Sequence, residues 1–210
     1  MRVMRPAIFL DRDGVINENR ADHVRRWDEF VPVRDALDGL RHLAELGLPI
    51  FVVTNQAIVG RGELAAAELD ALHARMSRLV ADHGGRIDGV YACLHTAHDE
   101  CACRKPRPGL FQRAAREHDL DLARSYYVGD ALTDLAAGLS AGCTTLLVRT
   151  GRGLTQLLQP RAQEYRGYYV ARDLAHAAHF ITYQEALRAG AGRPRLLSDL
   201  WLAVRDVQVV

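Results

Sequence analysis

No apolar run in the 210 residues approaches the roughly 20 residues that span a bilayer, and the first residues carry no pattern of a secretion signal. A membrane partner is thereby excluded and a cytoplasmic location expected. Charge of one sign is lacking too: 27 Lys and Arg against 26 Asp and Glu leave +1, too little for long-range attraction to nucleic acid. Cysteines number four. In a reducing compartment they stay thiols, which argues against a disulfide framework. Internal repeats and low-complexity tracts are absent, apart from a Gly/Pro/Arg-rich stretch over 189–195 that reads as a linker. With 49% hydrophobic and 25% charged residues, the chain suits one core: a single domain over 1–190, a tail over 191–210, and a monomer. Leu197, Leu200, Trp201 and Val204 give that tail an apolar face, suited to packing on the core or, second to that, to a subunit contact.

What is present is an alternation of short apolar runs with helical periodicity. Strands are expected at 7–10, 50–53, 87–93, 125–129, 143–148 and 168–171, and helices at 33–46, 63–83, 107–118, 132–141 and 173–188. That order predicts an α/β fold, a doubly wound, Rossmann-like parallel sheet. About 40 residues separate Asp13 from Thr54 and about 50 separate Thr54 from Lys105, and crossover helices use most of them. No large cap domain fits. Selectivity must then come from loops, namely 17–30 and the Cys/His segment.

Asp11 and Asp13 close the first apolar run and are followed by Gly14, which places two carboxylates at the carboxyl end of a buried strand, where open α/β sheets do their chemistry. One carboxylate can serve as nucleophile and another as general acid/base. Taken alone, Asp-Arg-Asp-Gly also suits a solvated turn. The second strand delivers Thr54, Asn55 and Gln56, groups that bind phosphate oxygens; Lys105-Pro106 opens a helix; and Gly129-Asp130 ends the fourth strand, with Asp134 four residues on. A carboxylate attacking a phosphate ester needs its charge repulsion neutralised. Lys105 is the candidate cation, and Asp11 with Asp130 a candidate oxygen cage for Mg²⁺.

This ordered set, Asp11-Arg12-Asp13-Gly14, Thr54-Asn55-Gln56, Lys105-Pro106 and Gly129-Asp130 to Asp134, resembles the haloacid dehalogenase-type phosphatases. The run Phe9 to Asn17 and the Cys/His segment before Arg104 are similar to the heptose 1,7-bisphosphate phosphatases and their histidinol-phosphatase relatives. The resemblance implies that Asp11 attacks phosphorus and that Asp13 first protonates the leaving oxygen, then activates water. It implies that Thr54 and Lys105 hold the phosphoryl oxygens. Asp11, Asp130 and the Asp13 carbonyl would bind Mg²⁺, Asp134 would orient a metal-bound water or nearby backbone, and Asn19, Asp22, Asn55, Gln56 and Arg104 would contact a small phosphorylated sugar. Ala131 stands where that family often has lysine, and Ala57-Ile58-Val59 departs from its usual segment, so the substrate stays open between a heptose bisphosphate and histidinol phosphate. A nucleic-acid end-processing phosphatase would need a basic groove, and a silent binding module would have lost a motif residue. None is lost.

Cys93, His95, Cys101 and Cys103 offer two short pairs of soft ligands for a tetrahedral Zn²⁺. The resembling family carries a zinc with this ligand order. A closed Cys₃His site would be structural and would fix the loop presenting Arg104 and Lys105; His98 ranks below His95 as a ligand. Cys143, isolated at a strand start, reads as a small buried residue.

Overall fold

The structure is a computed structural model that describes residues 4–190 and 207–210. Among these residues six strands run parallel: β1 (Ile8–Leu10), β2 (Ile50–Asn55), β3 (Gly89–Cys93), β4 (Tyr126–Gly129), β5 (Thr144–Val148) and β6 (Tyr169–Ala171), with β7 (Gln208–Val209) antiparallel to β6. The order in space is β3-β2-β1-β4-β5-β6-β7. The chain therefore winds outward from β1 through β2 to β3, then returns to start β4 on the other side of β1. The crevice above β1 and β4 is the topological switch point, where the two halves part and leave room for a ligand.

Among the described residues seven α-helices cover the faces: α1 (Ala36–Glu45), α2 (Ala57–Gly60), α3 (Ala66–Asp82), α4 (Gly109–His118), α5 (Leu132–Ala141), α6 (Gly153–Leu157) and α7 (Leu174–Arg188). Strand alternation decides which side chains meet which helices. Ile8, Leu10, Ile50, Val52, Tyr126 and Val128 pack with Leu40, Met76 and Ile181 of α1, α3 and α7. Phe9, Phe51, Val53 and Tyr127 face the opposite layer, against Leu110 and Phe111 of α4 and Ala137 of α5. Each fully buried Val, Leu, Ile, Phe or Met among them contributes about 1.5–3 kcal/mol by leaving water. Gly39 lets α1 approach α7 closely, since a Cβ there would sit 2.9 Å from the Ala175 backbone nitrogen.

The doubly wound sheet agrees with the expected fold, and the differences lie at element ends. The helix expected from 33 starts at Ala36, because Asp35 takes a left-handed φ of +63°. That over 107–118 starts at Gly109, since a residue preceding proline, here Arg107, disfavours helical backbone. The one expected over 63–83 starts at Ala66, where the Glu68 carboxylate accepts from the Ala65 N–H at 2.9 Å. Short α2 and α6 were not anticipated; at four and five residues they are below the length at which periodicity speaks. Leu197, Leu200, Trp201, Val204 and most of the 189–195 stretch lie outside the described residues. The chain's last residues join the sheet, Val210 N–H donating to the Tyr168 carbonyl at 3.0 Å. Among the described residues no helix is long and apolar enough to cross a membrane.

Candidate active site

Asp11 sits where β1 ends, 5% exposed, and its Oδ1 accepts the Arg12 backbone N–H at 2.7 Å and pairs with Lys105 Nζ at 2.9 Å. Lys105 is the only lysine in the chain. The residue is 4% exposed, and its ammonium also meets Asp134 Oδ1 at 2.7 Å, the Val53 carbonyl at 3.0 Å and the Tyr127 hydroxyl at 3.0 Å. A compact ammonium on a flexible stem fits this crowded position, where a guanidinium plane would not. Burial works against its charge, but Asp11 and then Asp134 more than offset that and hold Lys105 above the ordinary lysine range. Asn55 clasps the lysine's backbone from both sides: its Nδ2 donates to the Lys105 carbonyl and its Oδ1 accepts the Lys105 N–H, both at 3.1 Å.

Asp13, two residues beyond Asp11, is surrounded by donors. Arg12 reaches it through Nε at 3.1 Å and Nη2 at 2.9 Å, Asn17 Nδ2 bonds Oδ1 at 2.9 Å, and Gln56 Nε2 bonds Oδ2 at 2.9 Å. Burial alone would raise its pKa; the Arg12 charge and these hydrogen bonds outweigh burial and hold the carboxyl below its usual range. Asp11 is treated the opposite way. Burial first, then Asp134, Asp130 and Asp13, push it up to about 8 against the pull of Lys105. The backbone turns between these groups at Gly14, whose φ of +85° and whose contact with Asp130 leave no space for a Cβ, 2.1 Å from Oδ2.

Asp130 ends β4 and Asp134 caps α5. Both oxygens of Asp134 are committed: Oδ2 accepts the Asp130 and Ala131 backbone N–H groups at 3.0 Å each, and Oδ1 takes Tyr127 and Lys105. Asp130 is different. Its Oδ2 accepts from Asn19 Nδ2 and from the Arg152 N–H, while Oδ1 is buried without a hydrogen-bond partner. Asp11, Asp130 and Asp134 bring carboxylate oxygens within 4.8 Å of one another. Since a buried, unpaired acceptor is costly, the orphan oxygen fits a hard divalent cation held by Asp11 and Asp130, with Asp134 organising lysine and backbone behind them.

These groups open on a cavity of about 470 Å³ lined by Asp11, Asp13, Asn19, Arg20, Ala21, His23, Thr54, Asn55, Arg104, Lys105, Thr133, Asp134 and Arg152. Asn19, Asn55 and Arg104 thus stand where a substrate would contact them. Asp22 is absent from the lining and pairs with Arg20 at 3.1 Å on the surface. Gln56, fully buried, lies behind Asp13 and Thr54 and bonds both, so its geometry is that of a support. Within loop 17–30, Arg25 pairs with Glu63 and Arg26 with Asp28, leaving Arg20 and His23 as its ionisable groups in the cavity.

Arg12, Asn17, Tyr127 and Arg152 belong to the site without having been assigned a role from sequence. A polar hydroxyl inside the apolar run Tyr126-Tyr127-Val128 could have flagged Tyr127. Arg152, which lies 3.6 Å from Asp130 Oδ2, gives no comparable signal.

Beside the site, Cys93, His95, Cys101 and Cys103 gather, all as free thiols and imidazole. Five of the six distances among their Sγ and Nδ1 atoms are 3.2–3.7 Å. Metal–sulfur bonds of about 2.3 Å in a tetrahedron require edges of about 3.7 Å, so the donor set fits zinc. The loop is tied to the residues flanking Lys105: Arg104 donates to the His95 carbonyl at 3.2 Å, and Arg107 to the Cys101 carbonyl at 2.8 Å. Cys143 is buried, and burial pushes its thiol up to about 12.

A HAD-hydrolase-like family model matches residues 102–177. D-glycero-β-D-manno-heptose-1,7-bisphosphate 7-phosphatase of Pseudomonas aeruginosa is 36% identical over 174 residues, covering 83% of this chain and 96% of that protein. The same enzyme of Bordetella bronchiseptica is 40% identical over 179 residues, covering 85% and 98%. A crystal structure of D,D-heptose 1,7-bisphosphate phosphatase from B. bronchiseptica, complexed with magnesium and phosphate, superposes with a TM-score of 0.80 at 39% identity, covering 86% of this chain and 99% of that one. Identity at this level, over nearly the whole length of both relatives and on the same fold, means that the chain belongs to the haloacid dehalogenase-like hydrolases, in the family of these heptose-bisphosphate phosphatases.

Proposed function

We propose that this Mg²⁺-dependent phosphatase removes the 7-phosphate of D-glycero-β-D-manno-heptose 1,7-bisphosphate through a transient ester on Asp11. The observation that carries the reading is the single buried ammonium of Lys105 lying 2.9 Å from Asp11 Oδ1, at the mouth of a cavity also lined by Asp13, Thr54 and Arg104. A dianionic ester is drawn there by Lys105, which stays charged. The Thr54 hydroxyl and Lys105 hold the equatorial oxygens while an Asp11 oxygen attacks phosphorus in line with the departing sugar oxygen. Bound between Asp11, Asp130 and the Asp13 carbonyl, Mg²⁺ would supply further charge neutralisation.

The leaving group is a primary alkoxide and needs a proton. Asp13 is ionised at rest, and the negative phosphate beside it raises its proton affinity, so that the carboxyl takes up a proton with the substrate and delivers it to the leaving oxygen. Returned to its ionised form by that transfer, Asp13 then takes a proton from the water that hydrolyses the Asp11 ester. Arg104, on the zinc loop, anchors the second phosphate, with Asn19 on the sugar hydroxyls. The Cys93, His95, Cys101 and Cys103 zinc site holds that loop and takes no part in the chemistry. The near-neutral chain suits a small soluble substrate and a cytoplasmic monomer more than a nucleic-acid end.

The test is phosphate release from heptose 1,7-bisphosphate, histidinol phosphate, fructose 1,6-bisphosphate and nucleoside monophosphates, with Asp11→Asn as control. The heptose ester should be turned over fastest by at least about tenfold in kcat/KM, a difference of about 1.4 kcal/mol. A preference for histidinol phosphate would overturn the substrate, and turnover surviving in Asp11→Asn would overturn the nucleophile.

A further inference from the structure

We propose that Arg12 and His73 form a positioning pair that sets Asp13 for proton transfer to the leaving group, an inference that rests on the role given to Asp13 above. Arg12 is the largest fully buried side chain of the described residues, at 0% exposure. It stands between the two aspartates of the site yet is not among the residues that line its cavity. One edge of its guanidinium, Nε and Nη2, grips the Asp13 carboxylate with contacts of 2.9–3.1 Å. The other edge turns away: Nη1 lies 3.2 Å from His73 Nε2, on α3, 61 residues further along the chain.

Arginine can only donate, so His73 Nε2 must accept and the imidazole is neutral, with its proton on Nδ1. Burial, and then the Arg12 charge, depress the His73 pKa to about 3, which is consistent with that form. His73 is itself 6% exposed, so the contact is shielded from water.

The consequence follows from counting donors. Asp13 takes Asn17 on Oδ1 and Gln56 on Oδ2, which alone leave its plane free to tilt. The two-pronged grip of Arg12 removes that freedom, and a guanidinium keeps its own orientation only if its far edge is also bonded. His73 supplies that bond with a neutral acceptor. A carboxylate in its place would share the positive charge and weaken the hold on Asp13. His73 is therefore remote from substrate but coupled, through one rigid plane, to the group that moves the proton.

The experiment uses the intact Mg²⁺-loaded protein and two esters: heptose 1,7-bisphosphate, whose alkoxide must be protonated to leave, and p-nitrophenyl phosphate, whose phenolate leaves unaided. For His73→Leu, kcat/KM on the sugar ester should fall on the order of tenfold to a hundredfold, while that on the aryl ester should change by less than about threefold. His73→Gln, which keeps a neutral acceptor, should restore the sugar-ester rate to within about threefold of the native protein. Should His73→Leu fail to fold, Arg12→Lys keeps the charge but loses the fork and should show the same selective loss. A parallel fall on both esters, or none on either, overturns the pair. Absence of Asp11-dependent turnover in the native protein would instead overturn the reading of the site itself.

Discussion

Cys93, His95, Cys101 and Cys103 contact chiefly one another, whereas Asp11 and Asp130 are held by a surrounding scaffold: Lys105, Asn19, backbone N–H groups and, behind them, Asp134 and Tyr127. The first cluster has four soft donors and no remaining place for a ligand, so a metal there can only fasten the loop. The second is incomplete by design, since Asp130 Oδ1 is buried without a partner and the cavity opens directly on Asp11. A closed centre contributes stability. An open one contributes chemistry, and its geometry depends on residues that never touch the ligand.

Disabling the open centre should have the largest effect. Asp11→Asn removes the attacking oxygen while keeping its size, and turnover of any phosphate ester should fall at least about 10⁴-fold with the circular dichroism spectrum unchanged. Omitting Mg²⁺ should also stop turnover, while the melting temperature moves only by the modest linkage of a weakly bound ion.

The scaffold is tested by Asp134→Asn. An amide in that place loses the ion pair with Lys105 at 2.7 Å and sets an NH₂ or a neutral oxygen against donors that now face a carboxylate. Breaking a buried pair costs about 3–5 kcal/mol. Urea denaturation should register that loss, and kcat should fall on the order of 10²-fold as Lys105 pairs with Asp11 alone. Native stability in this variant would mean that the lysine is held by Asp11 and Tyr127 without it.

Removing metal from the closed centre should give the converse pattern. With a zinc-selective chelator in excess Mg²⁺, a loss of about 3 kcal/mol would lower the melting temperature by about 6–12 °C, and KM should rise more than kcat falls, because Arg104 loses its anchorage. Thiol titration sharpens the comparison: buried Cys143 should stay unreactive in the native protein while Cys93, Cys101 and Cys103 become reactive on chelation. An unchanged melting curve with no zinc by elemental analysis would remove the structural site.

The sheet and both clusters were legible in sequence for one reason: buried parallel strands read as continuous apolar runs, and chemistry restricts the residue types at their ends. Asp11, Asp130 and Lys105 can be few other things in that order. The resemblance places Asp22 at the substrate, but the loop turns it outward to Arg20, and no local pattern encodes that turn. The resemblance places Gln56 at the sugar, whereas the chain leaves β2 there and carries it behind Asp13. Arg12 between two aspartates looks like a solvated charge. Its burial depends on α3 bringing His73 across from 61 residues away, a tertiary fact that spacing cannot show.

That buried contact yields the smallest and most particular expectation. His73 is depressed to about 3, by burial first and then by Arg12, with Asp13 pulling the other way. In the unfolded chain it would titrate at about 6.5. Below that pH the unfolded state binds a proton that the native state refuses until about 3, so this contribution to stability is complete above pH 6.5 and is lost as pH falls toward 3. The slope is up to about 1.4 kcal/mol per pH unit, which integrates to about 1.7 kcal/mol between pH 6.5 and 5. Acidic groups add their own losses, so the informative quantity is the difference between native protein and His73→Gln in urea denaturation at the two pH values. The variant should lose less stability on acidification by up to that amount. Coincident slopes would mean that His73 takes up its proton in the folded protein as easily as outside it, and then Nε2 is not the acceptor that holds Arg12.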